Sequence, residues 1–487
     1  MKLDLPDEFK QLGIPEEDWE STPASIKKLI VLLHARIAEL EEQLRTNSSN
    51  SSKPPSSDGE EDREARKKRK REKKRKKRKR GAQPGHEGKT RELIPPEEVD
   101  RTIECRVTEC EYCGNGDVEI EDGDFIRHQV FEMPVIRPIV IEYRQYRYWC
   151  DDCGEWHTTM LPLEAGKGML GPRFQAMVGL LASKYHMSNR GIEEYLEDAF
   201  GLKVSLGTVS NTEARVSEAL EEPVEELKDH VKDQPVVGAD ETGWKQAGKK
   251  AWMWVATTAT ACVFLIRESR GGEVAKELLG ELFSGILVSD RWGGYNWVDQ
   301  TRRQLCMAHL DRDFFKISER KGRAGSIGTR LLEQMDKMWE YWAKIRDGTL
   351  SRAEFQRKMK TVRTKVEGLL EAGTECGHKK TEGTCEKILK YREALWTFVD
   401  VEGVDPTNNA SERAVRPGML WRKNCFGTQS ERGSVFVERM MTITATCRLQ
   451  GRNVLDYLTE AIEAHTMCFP APSLLPEQME ECDAQAA

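Results

Sequence analysis

Residues 236–245 read VVGADETGWK: an apolar run suited to a buried strand, followed without a break by an acid, a second acid and a threonine. Burial disfavours an ionised carboxylate, so such a placement is costly unless something at the site requires the charge. The neighbouring sequence indicates what kind of place this is. PVVGAD reads as a strand ending at Asp240, AWMWVATT and ACVFLIRE as a hairpin pair, GEVAKELLGELF as a helix, and GILVSD as another buried strand ending at Asp290.

Three antiparallel strands, a helix and a strand returning beside the first match a ribonuclease-H-like core, whose first and fourth strands are neighbours. Asp240 and Asp290 would then face each other. Two adjacent carboxylates repel, and cations between them would offset that repulsion. A third acid stands in VDPTNNASERAVRPGMLWRKNCFG, residues 404–427. Thr407 or Asn408 can cap a helix on which Glu412 sits one turn in, with Arg416 four residues later on the same face. Carboxylates from two strands and a helix can hold two Mg²⁺ (or Mn²⁺) ions about 4 Å apart, the arrangement used for in-line attack on phosphodiesters. Arg416, Arg422 and Lys423 would then bind phosphates or offset developing charge. Glu412 lies 122 residues beyond Asp290, more than such a core needs, so an inserted helical subdomain is expected at about 326–390.

Upstream, CEYCG at Cys110 and Cys113 and CDDCG at Cys150 and Cys153 are two Cys-x-x-Cys knuckles, each followed by glycine and separated by 36 residues. Four thiolates from two tight turns suit tetrahedral Zn²⁺ in a closed, structural site. Cys105, His128 and His157 are lower-ranked spare ligands. Between the knuckles VIRPIVIEYRQYRYWC alternates bulky and polar residues, which predicts the strands of a small zinc-bound sheet. Arg144 and Arg147 there suit contact with a DNA backbone, and equally suit solvent-facing strand positions. Farther along, Cys306 and His309 of CMAH, with Cys376, His378 and Cys385, offer a second zinc set of irregular spacing. The other reading has Cys306 filling the core after a fifth strand while His309 or Arg312 approaches the acids.

The N-terminal part has different partners in view. Thr22 and Pro23 punctuate the start of a helix in which Ile26, Ile30, Leu33, Ile37, Leu40 and Leu44 recur at heptad spacing, as in a self-associating coiled coil or a helix packed on its own protein. A Ser/Asn/Pro-rich linker follows. Residues 63–80 then hold 15 basic and 2 acidic side chains, among them Lys67, Lys68, Arg69, Lys70 and Arg71, in a chain whose net charge is −7. So dense a run is a disordered charge block or a nonspecific DNA-binding tail. Residues 172–220 read as three helices with Ser188 and Ser205 as N-caps, the last resembling a helix-turn-helix reader or a plain spacer. No apolar run reaches about 18 residues, and the N-terminus lacks a signal-peptide core; a soluble, cytoplasmic protein is expected.

SSNSSKPPSSD, GAQPGHEGKTREL, the paired knuckles, GADETGWK, LVSDRWGGY, CMAHLDRDFFK and NNASERAVRPGMLWRKNCFG together resemble, in order and over nearly the whole chain, transposases of the insertion sequence 66 family. The resemblance implies a DDE transposase with Asp240, Asp290 and Glu412 as the metal-binding triad, a leucine-zipper-like N-terminal helix, a zinc-finger domain that helps bind the element's ends, and small accessory partner proteins. The basic run has no counterpart in that resemblance.

The expected organisation is a multidomain α+β and α/β chain. It comprises an N-terminal helical segment (1–45), a linker with the basic run (46–95), a zinc-ribbon-like domain with four cysteine ligands (100–165) and a helical region that suits a helix-turn-helix (168–230). A ribonuclease-H-like DDE catalytic domain (234–450) and a C-terminal helix and tail (451–487) complete it. The expected protein pairs double-stranded element ends as a homo-oligomer, cleaves with Mg²⁺ and transfers 3′-ends to target DNA, and is nucleoid-associated when bound. Two alternatives stand beside this: another ribonuclease-H-like nuclease or resolvase, and a catalytically silent DNA-binding protein. Deleting residues 63–80 should flatten the salt dependence of nonspecific DNA binding, measured as the slope of log affinity against log salt; an unchanged slope would mean that the run does not touch DNA.

Overall fold

The computed structural model describes residues 16–44, 46–48, 50, 58–64, 93–116, 118–119, 125–166 and 168–476. Lys67, Lys68, Arg69, Lys70 and Arg71 lie outside the described residues. The chain divides into two compact units, one made of the residues up to Arg63 and from Val140 onward, the other of Glu64–Ile139. Among the described residues no helix is long and apolar enough to cross a membrane.

In the larger unit the N-terminal heptads form α1 (Ala24–Leu44). Thr22 does not cap it: its hydroxyl donates back to the Asp18 carbonyl at 2.8 Å. Ile26, Leu29, Leu33, Ile37 and Leu40 stay exposed and Ile30 is half-buried, so among the described residues this stripe joins neither core.

A short hairpin follows, β1 (Arg147–Cys150) with β2 (Glu155–Thr158). Here the structure departs from the sequence expectation. The alternating run from Val135 yields a strand only over its last four residues, and Val135, Ile139 and Val140 remain exposed. Alternation specifies a strand only where a partner edge accepts its ladder, and Pro138 within the run removes one donor.

Four helices come next: α2 (Pro172–Ser183), α3 (Asn189–Phe200), α4 (Leu206–Ala219) and α5 (Glu221–Lys232). The Ser188 and Ser205 side chains accept the backbone N–H groups of Gly191 and Thr208, as N-caps do. Val209, Thr212 and Val216 on α4 are buried, and its two valines belong to the core these helices share with the central sheet.

That sheet has five strands: β3 (Val236–Gln246), β4 (Lys249–Thr257), β5 (Cys262–Arg267), β6 (Ile286–Ser289) and β7 (Arg303–Leu305), in the order β5-β4-β3-β6-β7. β4 is antiparallel to both β3 and β5, and β6 and β7 run parallel to β3. The first and fourth strands of this set are therefore neighbours, as the sequence pattern predicts. β3 does not stop at Asp240, however. It runs on to Gln246 because β4 pairs with it from Gly238 to the hairpin turn, whereas β6 accompanies it only over Val236–Gly238. Asp240 thus lies on a continuous strand just past the point where its parallel neighbour ends.

Between β5 and β6 lies α6 (Gly272–Leu279). After β7 come α7 (Met307–Ser318), α8 (Gly322–Arg346), α9 (Arg352–Gly373) and α10 (Lys379–Leu389), then α11 (Asn409–Cys425), α12 (Glu431–Leu449) and α13 (Val454–Thr466). Helices α8 to α10 occupy the long gap between the acids. They pack through Leu331, Phe355, Leu370 and Ile388 into a second core that also takes Val288 and Leu305 of the sheet, while Val237 and Leu287 face the first core. Successive strand residues point to opposite faces, so Leu287 and Val288 fasten β6 to both layers.

Both sheet edges are closed by side chains. On α12, Glu438, Thr442 and Thr446 accept the outward N–H groups of Ile266, Phe264 and Cys262 on β5 at 2.8, 3.0 and 3.1 Å. Four helical residues rise about 6 Å, close to the roughly 6.6 Å spanned by two strand residues, so one helix face serves every second strand amide. On the opposite edge the Gln304 side chain of β7 accepts from the Phe398 amide at 2.9 Å and donates to the Leu395 carbonyl at 3.2 Å. Thr442→Val keeps the shape and strands the Phe264 amide, at a cost of about 1–3 kcal/mol. A thermal melt should show a lower Tm, with Thr442→Ser close to wild type; equal melts for all three would mean that the edge does not rely on this hydroxyl.

In the smaller unit, the Gln129 side chain exchanges two hydrogen bonds of 2.8 Å with the Ile94 backbone. Cys110 and Cys113 sit on a turn closed by the Gly114 amide donating to the Cys110 carbonyl at 2.7 Å. Gly114 has φ +74°, a conformation glycine adopts freely, which explains the residue after the knuckle. In the larger unit Gly154 repeats this after Cys153, with φ +65° and a 2.9 Å bond to the Cys150 carbonyl.

Candidate active site

Three elements bring the predicted acids together: β3 carries Asp240, the residue after β6 is Asp290, and the first turn of α11 carries Glu412. The helix is anchored by its first residues. The Asn408 side chain donates to the Ala239 carbonyl at 2.7 Å, and its backbone amide donates to the Cys306 sulfur at 3.3 Å. Asn408 is therefore not the capping side chain that the sequence suggests but a strut between helix and strand; Thr407 bonds to Asp405. Ser411 adds a 2.7 Å hydroxyl contact to Thr257 on β4.

The electrostatics reflect the crowding. Burial holds the Asp240 carboxyl well above the usual range, and Glu241, Asp290 and Glu412 push it the same way. Glu412 is raised by burial and by Asp290, opposed by Arg312. Its Oε1 lies 3.6 Å from His309 Nδ1 and 3.8 Å from an Arg312 nitrogen, both on α7. Burial, then Arg312, lowers the His309 pKa to about 4, so the ring is neutral near pH 7.

Glu241, not singled out from the sequence as a site residue, organises the other side. Its side chain is only 2% exposed and takes two bonds from Arg270, at 2.6 and 3.0 Å, and one from the Tyr295 hydroxyl at 2.8 Å. The Arg270 guanidinium lies over the rings of Trp252 and Trp292, 4.6 and 3.9 Å from their centroids. Trp292 in turn donates its backbone N–H to Asp290 Oδ1 at 2.8 Å and its indole N–H to the Arg270 carbonyl at 3.3 Å. The loop bearing Asp290 is thereby tied to the strand bearing Asp240. The adjacent acids in GADE were the available signal; Arg270 and Tyr295 had none, because their contacts span 29 and 54 residues. Beneath Asp290, the buried Arg303 donates to its carbonyl and to the Ser289 hydroxyl, each at 3.3 Å.

The expected phosphate-binding residues separate into two kinds. Arg416 and Lys423 are exposed on α11, and among the described residues no ion pair joins Arg416 to Glu412. Arg422 donates to the Gly243 carbonyl and braces β3. Arg144 is exposed beside Glu142, and Arg147 lies over the Trp156 ring. Cys306 is buried, as one of its two readings had it, and Trp292 and Trp297 are partly buried against the core.

At the knuckles, backbone N–H groups of Tyr112 and Cys113 lower the Cys110 thiol pKa, and that of Cys153 lowers Cys150. Ligand atoms of Cys150, Cys153 and His157 lie within 4.8 Å of one another, which promotes His157 from the spare candidates.

Comparison with known proteins gives these features a lineage. The transposase IS66 family matches residues 167–435, a span that contains all three acids and the sheet. The chain belongs to the IS66 transposase family. The zinc-finger binding domain of transposase IS66 matches residues 108–154, which include all four knuckle cysteines, and a family of unknown function matches residues 13–92. Two proteins of Sinorhizobium fredii, both titled uncharacterized, are similar. One, y4qI, is 27% identical over 310 residues, 58% of this chain and 56% of its own length. The other, y4hP, is 26% identical over 409 residues, 75% and 72% of the two chains. The chain thus spans little more than half the length of the first.

Asp240, Glu241 and Glu412 all bind protons more tightly than free carboxylates, so the folded metal-free protein holds more protons than the unfolded chain just above the usual carboxylate range. Stability therefore falls as pH rises through the raised values. Asp240→Asn removes one charge from the cluster and should raise Tm in EDTA near neutral pH, about 2–4 °C for each 1 kcal/mol relieved. The gain should shrink on acidification. A lower Tm at neutral pH would mean that the Asp240 charge is stabilising.

Proposed function

We propose that the protein is a DNA transposase that uses a ribonuclease-H-like core and a DDE triad of Asp240, Asp290 and Glu412 to cut DNA at its element's ends and transfer the freed 3′-ends to a target. The observation that carries this reading is the convergence of those three carboxylates, from a strand, the residue just after a second strand and a distant helix, inside the span that matches the transposase family. A set of oxygen donors in which burial and mutual repulsion disfavour the charged forms fits hard cations such as Mg²⁺ or Mn²⁺. When bound, two such ions would activate water or a DNA 3′-hydroxyl and neutralise charge at the leaving oxygen.

The chain's own groups do the rest. Trp292 and Arg303 hold the Asp290 loop, Asn408 sets the height of Glu412 on the strand, and Arg312 supplies a cation beside it. Arg416 and Lys423 face solvent on the same helix, where a phosphate backbone could lie. Arg144, Arg147 and the basic residues Lys67 to Arg71 would add contacts of low sequence preference. Cys110, Cys113, Cys150 and Cys153 would hold a structural Zn²⁺; the lowered thiol pKa values within each knuckle suit thiolate ligands. The exposed stripe of α1 suits pairing of two copies, and accessory proteins encoded by the element are further partners implied by the family.

A resolvase-like nuclease would use the same triad, and the decisive assay separates the two. Labelled element ends and a supercoiled target are incubated with the protein in Mg²⁺ or EDTA, beside Asp240→Ala, Asp290→Ala and Glu412→Ala. Metal-dependent joined products, lost in all three variants while end binding persists, are expected. Cleavage without joining would favour the nuclease, and binding without either would favour a catalytically silent DNA-binding protein.

A further inference from the structure

We propose that Cys306, His309 and Glu412 form a second metal site, selective for a borderline-soft divalent ion such as Zn²⁺, which shares Glu412 with the hard-ion centre. Occupancy by zinc and use of Glu412 in phosphoryl transfer would then exclude each other. That consequence rests on the triad reading above; the existence of the site does not.

The geometry comes from two elements. Cys306 is the N-cap residue of α7 and His309 stands in its first turn, a Cys-x-x-His spacing that puts sulfur and imidazole at one helix end. Glu412 enters from the first turn of α11. One ligand atom from each of the three lies within 4.8 Å of the other two. His309 Nδ1 and Glu412 Oε1 are buried atoms with no hydrogen-bond partner, and they lie 3.6 Å apart. That is too long for a hydrogen bond. It is close to the roughly 3.4 Å that separates nitrogen and oxygen ligands across a tetrahedral zinc with bonds of about 2.1 Å. Bringing the widest pair into range needs movement on the order of 1 Å, within reach of rotamer adjustment at the partly exposed Glu412 and His309.

The donor chemistry selects the ion. Sulfur, imidazole and carboxylate suit Zn²⁺, whereas Mg²⁺ demands six oxygens in near-octahedral array. The Asn408 amide, 3.3 Å from the Cys306 sulfur, would support a thiolate ligand as an outer-shell donor. The thiol proton would leave to solvent as the metal binds. Three protein ligands leave a fourth position open, unlike the closed set of four thiols proposed at the knuckles.

The test counts metal on the full-length protein. Wild type, Cys306→Ser, His309→Ala and Cys110→Ser are loaded with Zn²⁺, freed of loose ions by gel filtration, and assayed for zinc per chain. Cys306→Ser keeps an acceptor for the Asn408 amide and His309→Ala removes a half-buried ring, so the two variants perturb folding differently. Each should carry one ion fewer than wild type, and Cys306→Ser combined with Cys110→Ser should carry two fewer. With Co²⁺ in place of zinc, the wild-type minus Cys306→Ser difference spectrum should show a thiolate-to-metal band. Equal zinc content in wild type and both site variants, or a featureless cobalt difference, overturns the site. In the Mg²⁺-dependent cleavage assay, zinc should inhibit wild type at a concentration at least about tenfold lower than Cys306→Ser, since outer-shell partners alone are worth about 10–100-fold and Cys306 would be a direct ligand. Equal inhibition overturns the shared use of Glu412, whereas absence of cleavage by wild type without zinc counts against the transposase reading and leaves the metal count to decide the site.

Discussion

Gly238 has no side chain, and the helix that carries Glu412 occupies the space where one would be. A β-carbon built there would fall 2.5 Å from the Ser411 hydroxyl, 2.8 Å from that of Thr257 and 3.1 Å from the Asn408 amide oxygen. This close approach lets Asn408 reach the Ala239 carbonyl and lets Ser411 meet Thr257, and those two contacts bring the first turn of α11 against the strand at the level of Asp240. The site thus depends on a missing methyl group two residues before its first acid. Lengthening that contact by even one carbon would lift Glu412 away from the aspartates, because close-packed interiors transmit such changes rather than absorb them.

Around that contact the charges are arranged in opposition. Three carboxylates and Glu241 repel one another in a partly buried cleft, while Arg270, Arg303 and Arg312 approach from different sides without closing it. Arg270 is committed to Glu241 and sandwiched by two tryptophans, and Arg303 addresses a backbone carbonyl. Neither is paired with Asp240. Among the described residues no ion pair reaches the Asp240 carboxylate, and buried charge left unpaired in this way costs stability, as candidate functional sites often do.

Much of this could be read in the sequence, and what could not shares a physical reason. Strand order and the positions of Asp240 and Asp290 followed from apolar runs bounded by breaks, because burial imposes that pattern locally. The caps at Ser188 and Ser205 followed from side chains that act three residues away. The continuation of β3 past Asp240 did not, since it is decided by pairing with β4 and not by the acids themselves. The run after Val135 misled in the opposite sense, having the alternation of a strand but, among the described residues, no partner edge before Arg147. Arg270 and Tyr295 escaped notice because polar contacts between distant segments leave no periodicity, whereas Glu241 was marked only by its place beside Asp240. The three polar residues of α12 did carry a trace, one every four positions on a buried face, which a search for buried polar spacing would detect.

The long helical insertion has a consequence in time as well as in space. Asp240 and Asp290 leave the ribosome fifty residues apart, but Glu412 follows 122 residues later. At about 5–20 residues per second that interval lasts on the order of ten seconds. Throughout it the nascent chain has two of its acids and no third, and α11 cannot dock until the insertion has returned beside β7 through Leu395 and Phe398. A chain still attached to its message in this way lacks the third acid of the cluster until α11 has been made.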